Sequence, residues 1–202
     1  MKFRTKEIID PNYPLLDVDR AANISVKRTT HVYGETDVHK LSSIKLDVYH
    51  FPIPSTDGRT HHILVFFYGG GFTKGSRLGQ SPPHDLVHAN LGAFFARRGI
   101  LTVVPDYHFV PSITYPQGSE DVRDALLWVV RHLHTAGDAS RVFVLAHSAG
   151  GVHAVSMLLL SSLFSCPFAP LSVGCASSAS HLRSATAPPP HFSKLQWDTT
   201  AA

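Results

Sequence analysis

A serine that could act as a nucleophile lies between a strand pattern and a helix pattern in the second half of the chain. Ser148 stands within the letters AHSAGG, after the β-branched run RVFVLA and before the apolar run VHAVSMLLL. A sharp strand-to-helix turn exposes its central serine only if the residues two before and two after it are small, as Ala146 and Gly150 are. The alternative is a serine that only caps the helix, because serine is a common N-cap residue. The strand-and-helix context favours the nucleophile.

A glycine loop after the apolar run HILVFFY is the second candidate for chemistry. The letters YGGGFTKGS place Gly69, Gly70 and Gly71 directly after this predicted strand. Backbone N–H groups approach a ligand closely where no Cβ intervenes. Gly70, Gly71 and the N–H of Ala149 are therefore candidate donors to the oxyanion that acyl transfer creates. Phosphate binding is the weaker interpretation, because the loop lacks GxGxxG spacing and has Ser76 where a P-loop has its lysine.

Fourteen histidines raise the question of a metal site. The best spacing is HDLVH, which would place His84 and His88 on one helix face. The zinc-protease motif has Glu where Asp85 stands, and it also needs a third ligand. His61 and His62 alternate across a strand and cannot chelate together. We therefore expect no metal and no cofactor.

The elements that must position these groups alternate between strands and helices. THVYGE and IKLDVYHF are typical of an opening hairpin, and HILVFFY, ILTVV and RVFVLA of buried strands. Helices are predicted from about residue 84 to 98, from 119 to 134 and from 149 to 164. This order predicts an α/β fold, with a mostly parallel sheet and helices on both faces.

Composition and charge indicate which partners and which cellular compartment to expect. The net charge of +3 comes from basic residues that form no long run, so we expect no nucleic-acid partner. The opening residues MKFRTKEIIDPNYP contain no apolar secretory stretch, which makes the protein cytoplasmic by expectation. The uncharged stretch from 149 to 180 is interrupted by serine, proline and glycine, so we expect no membrane span.

Five ordered motifs between about residues 44 and 160 resemble a known family. LDVYHFP, ILVFFYGGGFTKGS, FFARRGILTVVPDYH, YPQGSEDVRDALLWVVRH and SRVFVLAHSAGG are similar to the N-terminal two-thirds of an α/β-hydrolase. The most similar branch contains carboxylesterases related to hormone-sensitive lipase, feruloyl esterases and kynurenine formamidases. Where that family usually has HGGG, PDYR and GHSAGG, this chain has Tyr68, His108 and Ala146. Asp106 and Tyr107 would be structural residues at a strand end.

The resemblance implies a serine hydrolase that acts on a small-molecule ester, with an arylformamide-type amide as the second substrate class. Ser148 would carry the acyl-enzyme, and Gly70, Gly71 and Ala149 would form the oxyanion hole. In such hydrolases an acid and then a histidine follow the serine. Asp198 is the only Asp or Glu after Ser148 in this chain, and all three histidines after Ser148 precede it. These histidines are His153, His181 and His191.

Because no acid followed by a histidine comes after Ser148, as it does in such hydrolases, other functions stay open. One alternative is a catalytically inactive hydrolase relic or fragment that acts as a binding or interaction protein. Another is a fragment to which a second chain supplies the acid and the base. Loss of a triad member costs on the order of 10⁴ to 10⁶ in rate.

The change of composition near residue 163 sets the predicted domains. We expect an N-terminal extension at 1–28, a partial α/β-hydrolase domain at 29–163, and a low-complexity, disordered tail at 164–202. The fold would be an incomplete α/β-hydrolase from a truncated or misread gene product. The edge of strand RVFVLA would then be unpaired, which predicts poor solubility and self-association through that edge.

Overall fold

A mixed sheet with helices on both faces makes up the described part of the chain in the computed structural model. The structure describes residues 19–34, 43–52, 61–79, 86–164 and 175–176. In chain order its elements are α1 (Arg20–Ile24), β1 (Arg28–Gly34), β2 (Ile44–Tyr49), β3 (Ile63–Phe67), α2 (Leu86–Ala96), β4 (Leu101–Pro105), α3 (Gln117–His132), β5 (Val142–Ala146), α4 (Ala149–Leu159), α5 (Ser161–Phe164) and β6 (Cys175–Ala176).

The strand order across the sheet is β1-β2-β4-β3-β5-β6. The first two pairings are antiparallel, and β3 is parallel to both β4 and β5. Every residue of β3 and β4 is buried, as continuous apolar runs predict for strands covered on both faces. The predicted opening hairpin and the α/β architecture are confirmed.

The crossovers place the helices on opposite faces of the sheet. The connection from β3 to β4 and that from β4 to β5 run in opposite directions, so right-handed crossovers put α2 on one face and α3 on the other. Helix α2 packs on β2 at Gly92, where a Cβ would lie 2.5 Å from the Tyr49 ring. Helix α3 buries the stripe that its periodicity predicts, which contains Val122, Ala125, Leu126 and Val129.

The first described residues lie within the predicted N-terminal extension and pack against α2. The Asn23 side-chain amide donates to Asn90 Oδ1 at 3.1 Å, and Arg97 Nη2 lies 2.9 Å from Asp19 Oδ2. Helix α1 is therefore attached by polar contacts to α2 and to the residue that follows it. None of the helices in the described ranges is both long and apolar enough to cross a membrane.

The predicted helix over 149–164 is not continuous but is interrupted at Leu160. Leu160 has φ −82° and ψ 105°, an extended conformation that ends α4, while its N–H still donates to the Ser156 carbonyl at 3.0 Å. Helix α5 then begins at Ser161. Serine is more favourable at a helix end than inside a helix, which accounts for the break.

A short strand lies within the segment predicted to be a disordered tail. Residues Cys175 and Ala176 pair in parallel with Val144 and Leu145 of β5. The β5 edge, which was expected to be unpaired, is therefore paired over these two residues. The edge of a parallel strand offers free N–H and C=O groups to a returning chain. A two-residue strand is too short to show a period in the sequence.

Apolar side chains are exposed on β5 and α4. Phe143, Val152 and Leu159 have 37%, 51% and 64% of their surface accessible. Exposed apolar surface of this kind favours association. Self-association through this region stays a prediction.

Candidate active site

Ser148 occupies the turn between β5 and α4 in a backbone conformation that residues with a Cβ rarely adopt. Its φ is +51° and its ψ is −122°. The side chain makes no capping hydrogen bond to α4, and the residue is exposed. The capping interpretation of this serine is therefore wrong. A strained, exposed serine between a strand and a helix is the backbone arrangement of a nucleophile elbow.

Close contact with the end of β3 explains why the residues around the serine are small. A Cβ on Gly150 would lie 2.4 Å from the Tyr68 carbonyl oxygen and 2.6 Å from that of Phe67. Ala146 is buried. The His147 N–H donates to the Phe67 carbonyl at 2.9 Å, which extends the pairing of β3 with β5 up to the serine. The backbone of β3 thus fixes the turn.

The glycine loop, residues 69–79, lies directly beside Ser148. A Cβ on Gly69 would lie 2.8 Å from Ser148 Cβ and 2.8 Å from His147 Nδ1. A side chain at residue 69 would therefore displace the serine. The loop and the elbow can approach this closely only because that position is glycine.

Gly70 and Gly71 follow this contact, and each requires glycine for a different reason. A Cβ on Gly70 would overlap the Lys74 carbonyl oxygen at 1.6 Å, whereas Gly71 has open space around it but a φ of +61°. Among the residues that the structure describes, no group accepts a hydrogen bond from the N–H of Gly70, Gly71 or Ala149. The three predicted oxyanion donors thus have unpaired N–H groups, and their role stays a prediction.

Tyr68, where the family usually has histidine, is part of the support beneath the loop. Its fully buried ring lies between the rings of His88 and Tyr107, with centroids 5.0 and 4.9 Å away. Its hydroxyl donates to Asp106 Oδ1 at 2.8 Å. Burial and the nearby Asp106 carboxylate raise the pKa of Tyr68 well above its usual value. The hydroxyl therefore stays protonated and remains a donor.

Two carboxylates meet one guanidinium beneath the same loop. Arg77 Nη1 lies 2.5 Å from Asp106 Oδ2, and Arg77 Nε lies 3.0 Å from Asp47 Oδ1. The Arg77 main-chain N–H also donates to Asp106 Oδ1 at 2.6 Å. Burial lowers the pKa of Arg77, but its hydrogen bonds to Asp106 and its close ion pair with Asp47 outweigh that effect and the pKa is raised. Arg77 and Asp47 were not predicted as parts of the site; the available signal was a carboxylate inside the otherwise apolar stretch LDVY.

His108, where the family usually has arginine, binds a carboxylate at the start of α3. Its main-chain N–H donates to Asp121 Oδ2 at 2.8 Å, and its Nδ1 lies 3.0 Å from the same oxygen. Burial raises the pKa of Asp121, and the contacts with His108 oppose that shift. The pair connects the segment after β4 to the N-terminal part of α3.

His153, five residues after Ser148 on α4, is buried away from solvent. Its ring meets the rings of Phe72 and Tyr107 edge-on, with centroids 5.2 and 5.3 Å away. It also packs so closely on Gly118 that a Cβ there would lie 2.3 Å from Cε1 of the histidine. Burial lowers the pKa of His153. The structure therefore places it in the packing beneath the loop, as a neutral ring.

A proton acceptor for Ser148 is not found in the described part of the chain. No described side chain hydrogen-bonds the serine hydroxyl. Three of the residues considered from the sequence lie outside the described ranges: His181, His191 and Asp198. In the same described ranges, no three His, Cys, Asp or Glu side chains come together as a metal site.

Several curated proteins of similar sequence are carboxylesterases by name. The chain is 33% identical over 98 residues to "Probable carboxylesterase 7" of Arabidopsis thaliana, and 37% identical over 90 residues to "Carboxylesterase NlhH" of Mycobacterium tuberculosis. Each alignment covers 44% of this chain, but only 30% and 26% of the respective relatives. The chain thus spans less than a third of the length of these relatives.

The sheet and its helices are also similar to a solved structure. The native thermophilic esterase of the Planctomycetes species Thermogutta terrifontis has a TM-score of 0.51 at 24% identity, over 64% of this chain and 43% of the esterase. This likeness shows the fold. The family model described as alpha/beta hydrolase fold matches residues 64–167, from β3 through the glycine loop and the Ser148 turn. Since that match covers just over half of the residues, the chain belongs to the alpha/beta hydrolase fold family.

Proposed function

We propose that this chain acts on small carboxylic esters as a serine hydrolase, through an acyl-enzyme on Ser148. The observation that carries the proposal is the positive φ of an exposed serine at the turn between β5 and α4. A non-glycine residue held in such a conformation costs roughly 1–3 kcal/mol and persists where the surrounding structure enforces it, which is typical of functional sites. The names of the carboxylesterase relatives support the same chemistry.

The proposed reaction uses the loop and the elbow together. Ser148 Oγ forms a bond to the ester carbonyl carbon, and the carbonyl electron pair moves to its oxygen. The N–H groups of Gly70, Gly71 and Ala149 donate to that oxyanion. The bond to the leaving group then breaks, and the alcohol departs with the serine proton. Water hydrolyses the acyl-enzyme to the carboxylic acid and restores Ser148. Removal of one oxyanion donor costs about 10² to 10³ in rate.

The second candidate function depends on whether a base takes the proton from the Ser148 hydroxyl. A serine hydroxyl needs a base to become a good nucleophile, and no described side chain hydrogen-bonds Ser148. If the base comes neither from residues outside the described ranges nor from a second chain, the site would bind an acyl ligand without turnover. An inactive hydrolase that acts as a binding protein is therefore the second candidate.

A fluorophosphonate probe with p-nitrophenyl acetate tests both candidates on the full chain. Attack by Ser148 Oγ on the probe forms a P–O bond and releases fluoride, so labelling reports an activated serine. We expect labelling of the wild type, none of Ser148→Ala, and unchanged labelling of Ser156→Ala, whose serine lies two turns further along α4. Turnover of the acetate ester supports the hydrolase. Labelling without turnover indicates acylation alone, and an unlabelled wild type contradicts the proposal in favour of binding.

A further inference from the structure

The glycine loop has few groups of its own to hold the orientation of its free N–H groups. Gly70 and Gly71 carry no side chain, and their N–H groups have no acceptor in the described ranges. Within the loop the Thr73 N–H donates to the Gly70 carbonyl at 3.3 Å, a long hydrogen bond. The Phe72 carbonyl accepts from the Val110 N–H at 3.0 Å. Besides these two hydrogen bonds, the direction of the two glycine N–H groups depends on where the loop is anchored at its far end.

Arg77 is that far anchor, and it is held by both its backbone and its side chain. Its main-chain N–H and its Nη1 both donate to the Asp106 carboxylate, at 2.6 and 2.5 Å. Its Nε lies 3.0 Å from Asp47 on β2. Asp106 directly follows β4, so one side chain connects the loop to two neighbouring strands of the sheet. A planar guanidinium presents its donors to two carboxylates in a fixed fork geometry, whereas an ammonium group is a compact point charge without that fork.

Burial makes this anchor more than a surface ion pair. The Asp47 side chain is fully buried, and that of Arg77 is 17% exposed. The other cation near Asp47 is Arg28, whose Nε is 4.0 Å away and whose side chain is 43% exposed. Removing one partner of a buried pair leaves an uncompensated charge and is costly. Moving Arg77 away from Asp47 would therefore be energetically costly, which keeps this end of the loop in place.

We infer that Arg77 is a positioning residue for the proposed reaction: by bridging Asp106 and Asp47, it holds the glycine loop so that Gly70 and Gly71 direct their N–H groups toward the oxyanion formed at Ser148. The inference rests on the proposed function. It assigns Arg77 no contact with substrate, and its effect passes entirely through the loop.

Fluorophosphonate kinetics on the full chain test the effect on the reaction. Arg77→Lys keeps the positive charge but loses the two-carboxylate bridge. We expect the maximal labelling rate per folded molecule to fall roughly tenfold to a hundredfold, with a half-saturating probe concentration within about twofold of the wild type. Arg97→Lys, in the exposed pair with Asp19, is the matched control and should label like the wild type. A purely structural role for Arg77 would lower the folded fraction and leave the rate per folded molecule unchanged, which would overturn the inference.

Hydrogen exchange provides a readout that does not need catalysis. The N–H groups of Thr73 and Gly79 are hydrogen-bonded within the loop, and we expect their exchange to become at least tenfold faster in Arg77→Lys, while that of β3 stays unchanged. If the wild type is not labelled by the probe, the proposed function fails, and exchange alone decides the inference. Equal loop exchange in variant and wild type overturns it. Should Arg77→Lys not fold, Asp106→Asn, which keeps the acceptor oxygen but loses the charge, takes its place with the same expected results.

Discussion

The two neighbouring glycines after Ser148 should respond in opposite directions to the same added methyl group. A Cβ on Gly150 would lie 2.4 Å from the Tyr68 carbonyl oxygen, while a Cβ on Gly151 has its nearest neighbour, the Ala146 carbonyl oxygen, at 3.9 Å. Ordinary contact begins near 3.4 Å, so Gly150→Ala forces the start of α4 to withdraw by about 1 Å. Overpacking of this kind costs about 1–3 kcal/mol. Gly151→Ala instead gains up to about 1 kcal/mol of helix propensity.

Thermal unfolding of the two variants measures this difference. The expected gap is about 2 kcal/mol or more, which for a chain of this size corresponds to roughly 4–8 °C in Tm, with Gly150→Ala below the wild type and Gly151→Ala at or above it. Fluorophosphonate labelling should be lost in Gly150→Ala and kept in Gly151→Ala, because the first substitution moves Ser148. Equal Tm shifts of the same sign in both variants would refute the account of the elbow as a backbone contact between α4 and β3.

Three further predictions concern strain and protonation. Ser148→Gly should be about 1 kcal/mol more stable toward urea than Ser148→Ala, because glycine relieves the positive φ at some cost in chain entropy; equal stability would contradict the strain. Burial lowers the pKa of His153 below 6.5, so the unfolded chain takes up the proton first, and stability that is complete above pH 6.5 is lost as the pH falls. The urea midpoint of His153→Gln should decline less between pH 7 and 5 than that of the wild type, and parallel profiles would count against this. Hydrogen bonds from Ser140 and Arg141 lower the pKa of Asp138 to about 2, so its contribution is present above pH 4 and is lost as the pH falls through 2. Asp138→Asn should therefore be less stable than the wild type at pH 5, and the difference should shrink as the pH falls from 4 toward 2; a difference that does not shrink would contradict the assignment.

Local pattern was enough to predict the central strands and the elbow, because both are encoded in contiguous residues. The buried strands show as apolar runs, and Ser148 is identified by the small residues on either side of it. The bridge from Arg77 to Asp47 and Asp106 could not be predicted in this way, because it joins residues about 30 positions apart in the chain. The break at Leu160 was missed for a different reason. Leucine suits a helix interior, so only the serines after it hint at an end.

Tyr68 connects the two parts of the site that the sequence presents as separate motifs. Its carbonyl oxygen accepts the Tyr107 hydroxyl at 2.7 Å and lies against Gly150, so its backbone helps to set the elbow. Its hydroxyl binds the Asp106 carboxylate that also holds Arg77, so its side chain helps to set the glycine loop. A change at Gly150 therefore acts first on the elbow, and a change at Arg77 acts first on the glycine loop. A change at Tyr68 acts on the distance between the elbow and the loop, and in the proposed reaction that distance decides whether the oxyanion at Ser148 meets its donors.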